Sequence, residues 1–353
     1  MSDPSGNNPV LIEIARGEVI ESRHRGSVAI ADAEGRLLLA LGDVGRRTFP
    51  RSAVKAMQAL PLIESGAADA FGLDEAELAV ACGSHSGDAV HIAAVRSILA
   101  KAGLEESDLA CGVHWPMSEQ ASRELARSGA KPGAIHNNCS GKHAGMLATA
   151  VHLGLEPQGY EQCSHPVQRA IARAMEEVCG IDFGETDMAV DGCSVPTYAL
   201  PLAALATGFA RLVSGKGLPR PRADAAERLV GACLSKPALV AGEGRFDTMA
   251  MRGLAPLVFA KGGAEGVHCA GLPRAGIGIA VKMDDGVKRG TEATLAHVLA
   301  ALVPEARRVL ANHVAGDIRN WRGRKVGQIR RAATLERALA GLAAPKAKAP
   351  APG

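Results

Sequence analysis

The sequence predicts an α+β protein in which both ends of the chain build one antiparallel sheet and the middle forms an inserted helical lobe. Three observations carry that reading. Residues 10 to 49 are short apolar or alternating runs, "VLIEIARG", "GSVAIAD" and "RLLLALGD", separated by Gly, Asp and Glu turns. From "RTFPRSAVKAMQALPLIESG" onward the apolar spacing becomes helical. Near the far end, "PLVFAKGGAEG", "VHCAGLP" and "AGIGIAVKMDD" return to a strand series with tight turns.

The elements follow in order. Pro50 sits where a first helical turn accepts proline, and Val54, Met57, Leu60 and Leu62 supply the apolar face. "AELAVACGSHSGD" reads as a strand ending in a polar, Gly-rich loop, and "AVHIAAVRSILAKAG" as a helix that stops at Gly103. "HNNCSGK" opens the helix "HAGMLATAVHLG". "SHPVQRAIARAMEEVCG" is a further helix, capped by Ser164 and closed by Gly180. "MAVDGCSVPTYALPLAALATGFARL" reads as a turn and a buried helix, "LPRPRADA" as a loop, "AAERLVGACL" as a short helix and "TEATLAHVLAALV" as the closing helix. One domain is expected over residues 10–335, with the helical lobe at roughly 89–255. Flexible tails are expected at 1–9 and 341–353, the latter a low-complexity run of Ala, Pro and Lys.

Composition narrows the function classes. The chain has 353 residues, 47% of them hydrophobic, so a substantial core of Ala, Leu, Val and Ile is available. Aromatic content is only 3%, which argues against base-stacking surfaces. Net charge is +3 with acids and bases interspersed, so neither nucleic acid nor an anionic membrane is an expected partner. No apolar run is long enough to span a bilayer, and "MSDPSGNNPV" lacks a signal pattern, so a cytoplasmic protein is expected. The eight cysteines are scattered without a CxxC pair, which fits a reducing compartment and mostly buried, inert thiols.

Three polar segments could carry chemistry. Ser52 and Lys55 form an S-x-x-K at a helix start, where positions i and i+3 share a face. A serine hydroxyl attacks only when a base takes its proton, and lysine is such a base only when its pKa is depressed. Taken alone the motif is more often a cap beside a solvated lysine. "Lys261-Gly262-Gly263" follows an apolar strand-like run, and its small residues would let a substrate backbone approach. "Gly83-Ser84-His85-Ser86-Gly87-Asp88" is the third. Each could be a plain turn; the three in this order are harder to dismiss as turns.

"HNNCSGKHAG", residues 136 to 145, is the least ordinary stretch. A phosphate loop fails because His136 stands where a glycine is needed and His143 follows Lys142. Cys139 at a helix N-terminus could be a nucleophile. It could also join Cys193, presented by the turn "Asp191-Gly192-Cys193", in a soft, zinc-favouring pair. Lys142 would be an unusual third ligand, since it must be neutral to donate a lone pair, and zinc affinity would then fall as pH drops. His85, His91, His136, His143 and His165 show no metal-ligand spacing.

Together "ESRHRGSVAI", "FPRSAVKAMQALPLI", "CGSHSGD", "HNNCSGKHAGML", "HPVQRAI", "DGCSVPTYALPL", "VAGEGRFDT" and "AKGGAEGV" resemble the class 3, or rhizobial-type, L-asparaginases, in order from about residue 10 to about 335. The S-x-x-K and K-G-G elements are shared more widely with penicillin-binding proteins, serine β-lactamases and glutaminases. The resemblance implies a β-lactamase-like fold and hydrolysis of L-asparagine to L-aspartate and ammonia. It implies two Ser–Lys pairs, Ser52 with Lys55 and Ser84 with Lys261, and a zinc ion on Cys139, Lys142 and Cys193 that tunes binding. It also implies a homodimer. Arg51, His85 and Asp191 are the expected substrate-binding residues. The competing readings are a hydrolase of another amide, such as glutamine or a β-lactam, and a non-catalytic amino-acid- or zinc-binding protein. "LSKPALVAG" departs from the family pattern, with Ser235-Lys236 where relatives carry His before the proline, and this bears on substrate affinity.

Overall fold

The structure is a computed structural model that describes residues 8–342. Among the described residues twelve strands run in chain order: β1 (Val10–Arg16), β2 (Val19–Asp32), β3 (Leu37–Leu41), β4 (Arg47–Thr48), β5 (Met188–Val190), β6 (Pro196–Tyr198), β7 (Leu200–Pro201), β8 (Phe259–Gly262), β9 (Val267–Leu272), β10 (Ile277–Met283), β11 (Asp317–Arg319) and β12 (Lys325–Arg331). Helices fill most of the rest. The described chain divides into two compact units, one of residues 8–53, 200–217 and 249–342, the other of residues 54–199 and 218–248.

The first unit is the sheet. Its strands lie in the order β11-β12-β1-β2-β10-β9-β8, with β3 also on β2, and all their pairings are antiparallel. Strands from both chain ends therefore share one sheet, and the architecture is α+β, as the sequence predicts. β2 is the hinge of this arrangement. Val19–Arg25 pairs with β1, while residues 26–32 pair with β10. The first half alternates exposed and half-buried residues; in the second, Val28 to Ala31 are fully buried, as expected when both faces are covered.

The helix Leu202–Ser214 packs on β2, β9 and β10, and the helix Lys288–Leu302 on β9, β10, β1 and β12. The first approach is backbone on backbone: a Cβ at Gly278 would lie 1.9 Å from Ala206 O. Phe209 and Phe259 stack at 6.0 Å between ring centroids, one of few aromatic contacts in a core built mainly of Ala, Leu, Val and Ile.

The second unit is mostly helical. Its helices include Glu75–Ala81, Ala89–Lys101, Ser140–His152, Pro166–Cys179 and Arg220–Ser235, with the hairpin β5–β6 beside them. Three expectations fail here for identifiable reasons. "AELAVA" is helix, not strand, because Asp74 and Glu77 form a reciprocal capping box: Glu77 N donates to Asp74 Oδ1 at 2.9 Å and Asp74 N to Glu77 Oε2 at 2.7 Å. "LPRPRADA" is the first turn of Arg220–Ser235, where Pro221 meets no penalty because first-turn N–H groups have no helical partner. The helix Pro166–Cys179 ends at Gly180 in the left-handed conformation as expected, but its cap is His165, whose Nδ1 accepts from Val167 N, rather than Ser164.

Two further expectations need correction. "Closing helix" does not describe Lys288–Leu302, because β11, β12 and the helix Ala333–Ala340 follow it. Asn8, expected in a flexible tail, is buried: its Oδ1 accepts from Ser27 Oγ (3.0 Å) and Asp43 N (2.7 Å), and its Nδ2 donates to Asp284 Oδ1 (2.8 Å). The remainder of the expected tails, residues 1–7 and 343–353, lies outside the described residues. None of the eight cysteines is in a disulfide, and all but Cys163 are buried. No helix among the described residues is long and apolar enough to cross a membrane.

The contact at Gly278 is a test of this packing. Gly278→Ala should destabilise the protein by about 2–3 kcal/mol, since neither backbone can yield easily. Urea unfolding measures it, and an unchanged midpoint would show that the helix and sheet can separate freely.

Candidate functional site

Most of the chemistry-bearing residues of the second unit meet around the loop Gly83–Asp88. Lys55 opens the short helix Lys55–Gln58 and is almost completely buried. Its Nζ donates to Gly83 O at 2.6 Å and to Asn138 O at 3.0 Å. One lysine thus ties the loop carrying Ser84 to the loop that opens the helix Ser140–His152. Ser84 N donates to Val240 O at 2.7 Å and His85 N to Asn138 O at 3.2 Å, which completes the clamp. Ser84 Oγ accepts from Asn138 Nδ2 at 3.2 Å.

The start of Ser140–His152 is shaped by its neighbours. Asn137 Oδ1 accepts from Cys139 N at 2.9 Å, while Asn137 Nδ2 donates to Cys111 O at 2.8 Å. Gly141 is required by a close approach, because a Cβ there would lie 2.3 Å from Val80 O of the helix Glu75–Ala81. This crossing buries Cys139 and Lys142 against the turn after β5. Lys142 Nζ donates to Cys193 Sγ at 3.0 Å, and Asp191 Oδ2 lies 3.5 Å from the same sulfur.

Electrostatically the cluster is tightly coupled. The hydrogen bond from Cys193 holds the Cys139 thiol well below its ordinary pKa, assisted by Lys55 and Lys142, although burial opposes this. The same bond, with burial, pushes Cys193 up. Of the two thiols, Cys139 is therefore the more acidic. Burial acts against the Lys142 ammonium, but the two sulfurs outweigh it and raise its pKa. For Lys55 burial wins over the sulfurs and its pKa falls. Burial pushes Cys111 up to about 12, leaving it an ordinary thiol.

His85 has no polar atom left for a substrate. Its Nδ1 accepts from Gly87 N at 3.2 Å, so Nε2 carries the hydrogen and donates to Ser140 Oγ at 2.9 Å, and the ring is fully buried. Burial depresses its pKa and keeps it neutral. The side chain that reaches Ser84 instead is Arg245, with Nη1 3.2 Å from Ser84 O. Neither Arg245 nor Asn138 stood out in the sequence; "GEGR" offered a Gly-rich turn but no pattern that marks a ligand.

Ser52, Arg51 and Lys261 belong to the first unit. Ser52 lies on the 3-10 turn Arg51–Val54, entered through Arg51 at φ 51°, a left-handed conformation that costs energy for a residue with a Cβ. Lys261 is fully buried on β8, paired with Cys269 of β9. The end of that strand meets the serine turn: a Cβ at Gly263 would lie 2.5 Å from Pro50 O and 3.4 Å from Ala53 N. The K-G-G segment and the Ser52 turn are thus neighbours in one unit, while Lys55, Ser84, His85, Cys139, Lys142, Asp191 and Cys193 lie in the other.

Comparison with known proteins gives three findings. A search of curated protein sequences returns no significant match. Among solved structures, the native form of Mglu overlaps with a TM-score of 0.45 at 16% identity, covering 78% of this chain and 64% of that one. The chain therefore spans less than two thirds of the length of that relative. Its tris and glutamate form overlaps with a TM-score of 0.41 at 17% identity, covering 86% and 63%. A β-lactamase from Mycobacterium bovis overlaps with a TM-score of 0.36 at 16% identity, covering 78% and 94%. The family profile described as L-asparaginase II matches residues 12–331, nearly the whole chain, and the protein belongs to that family.

Proposed function

We propose that this protein is an amidohydrolase that converts L-asparagine to L-aspartate and ammonia through a Ser–Lys acyl-enzyme. The observation that carries the reading is Lys55. A buried lysine, with a lowered pKa and two carbonyls fixing its amine, is suited to take a proton from a hydroxyl. Three residues before it in the chain stands Ser52.

In this reading Ser52 Oγ attacks the side-chain amide carbon and its proton passes to Lys55 Nζ. The tetrahedral intermediate collapses, the C–N bond breaks, and ammonia leaves with the proton from Lys55. Water then attacks the acyl carbon, giving up a proton to the second pair, Ser84 with Lys261; the bond from the acyl carbon to Ser52 Oγ breaks, Oγ takes up that proton, and aspartate is released. Backbone N–H groups beside Ser52 are candidate oxyanion donors, each typically worth roughly 3 kcal/mol. Ser84 Oγ accepts from Asn138 Nδ2, which leaves its own hydrogen available to donate.

We also propose a zinc ion on Cys139, Cys193 and Lys142. Among the described residues no three His, Cys, Asp or Glu side chains gather as a metal cage, so the site depends on the lysine as its third donor. The donor types fit, two buried sulfurs and a lysine nitrogen 3.0 Å from one of them, on the condition that the ion displaces the proton that the sulfurs now hold on Lys142. When bound, zinc would supply a fixed positive charge beside the substrate. The protein's own part is to hold the two sulfurs and the amine together, with Asp191 beside them. A homodimer in the cytoplasm completes the proposal.

Ser52→Ala should lower ammonia release from asparagine by about 10³-fold or more while leaving the melting temperature in place. Turnover near wild type in that variant would refute the nucleophile. A panel of asparagine, glutamine and a chromogenic β-lactam identifies the substrate, and tight binding of asparagine without any turnover would favour a binding protein instead. Elemental analysis of protein purified without chelator should find one zinc per chain, lost in Cys139→Ala. Absence of zinc from the wild type, or its retention in the variant, would rule out the site. Light scattering should report a dimer.

A further inference from the structure

The loop after the helix Pro237–Val240 carries a cation that the mechanism above does not use. Arg245 is half-buried, and its Nη1 donates to Ser84 O at 3.2 Å. A guanidinium presents five N–H donors in a planar fork, and this bond spends one of them. Among the described residues no carboxylate lies within ion-pair distance of it. The nearby acid, Asp88, is turned toward its own helix, with Oδ2 3.5 Å from His91 Nδ1. The rings of His85 and His91 stack at 5.0 Å between centroids, and burial keeps both neutral, so neither competes for an anion.

The position of this fork is specific. It touches the carbonyl of the same residue whose hydroxyl accepts from Asn138, so an anion bound to Arg245 would sit within one residue's span of Ser84 Oγ. Arg245 itself is placed by the backbone. Val240 O accepts from Ser84 N, and Ala241 O accepts from Ser86 Oγ at 2.8 Å, so two hydrogen bonds tie the two loops together. A planar fork lacking a carboxylate, fixed beside a serine, matches a ligand that carries a carboxylate a few bonds from its reacting carbonyl.

We propose that Arg245 binds the α-carboxylate of the substrate and thereby selects amides of α-amino acids. The proposal rests on the amidohydrolase reading, and it gives the carboxylate contact to Arg245 rather than to Arg51, the arginine expected from the sequence among the substrate-binding residues.

Two substrates separate this role from a structural one: L-asparagine and 3-aminopropanamide, which is asparagine without its α-carboxylate. In Arg245→Gln the KM for asparagine should rise about 30-fold with a much smaller change in kcat, and Arg245→Lys should recover part of the loss. The kcat/KM for 3-aminopropanamide should fall less than about threefold, because the lost contact is absent there. Equal losses on both substrates, or this pattern in Arg51→Gln instead, would overturn the assignment. Calorimetric binding of L-aspartate keeps the two readings apart. If wild type releases no ammonia but binds aspartate, and Arg245→Gln weakens that binding at least tenfold, the hydrolase reading fails and the carboxylate site stands. Aspartate binding that is absent in wild type, or unchanged in Arg245→Gln, refutes the carboxylate site.

Discussion

The bond pair from Lys55 Nζ to Gly83 O and Asn138 O is the constraint on which the helical unit's site depends. Burying an ammonium among apolar neighbours is costly unless polar groups replace its water. Two carbonyls and the Cys139 sulfur do so here. Because those carbonyls belong to different loops, solvating the lysine also fixes the distance between the loops. Ser84, one residue after Gly83, and Cys139, one residue after Asn138, inherit their positions from it.

The same coupling explains why two lysines a short distance apart behave differently. Burial works against the charge of both. Lys142 donates directly to Cys193 and has both sulfurs beside it, so attraction exceeds the desolvation cost. Lys55 has neutral carbonyls as its main partners and feels Lys142 as a like charge, so desolvation prevails. One lysine is therefore kept as a cation and the other is moved toward neutrality. The two lysines are thus set apart by their partners, with no difference in residue type to mark them.

Much of this was legible in the sequence, and the exceptions share a cause. The sheet from both chain ends showed in the β-branched runs, and the polar loops showed as breaks in apolar periodicity. The Cys139–Lys142 and Asp191–Cys193 segments were legible as partners because sulfur and amine chemistry restricts what can pair with them. Glu75–Ala81 was misread because its apolar run outweighed the Asp74–Glu77 capping pattern. β12 was missed because Arg and Lys line a half-exposed strand with few apolar residues. What composition could not show at all is the work done by main-chain carbonyls. Ala238 O holds His91, Val240 O holds the Ser84 amide and Ala241 O holds Ser86, yet "ALVA" reads only as apolar. For the same reason His85 looked like a ligand residue, although the Gly87 amide and Ser140 occupy its ring.

The departure at Ser235-Lys236 can be judged in this light. Ser235 is exposed and donates to Glu75 Oε2 at 2.6 Å, and Lys236 is exposed at the start of Pro237–Val240. Neither side chain is bonded to the Ser84 loop. The contacts that matter begin after Pro237 and are made by carbonyls, followed by the guanidinium of Arg245. A carbonyl contact survives most side-chain replacements upstream, because it depends on the path of the chain and not on the residue. The segment can therefore lose a histidine before the proline and keep its hold on Ser84. Within this segment, the charged side chain bonded to Ser84 is Arg245, downstream of the replaced position.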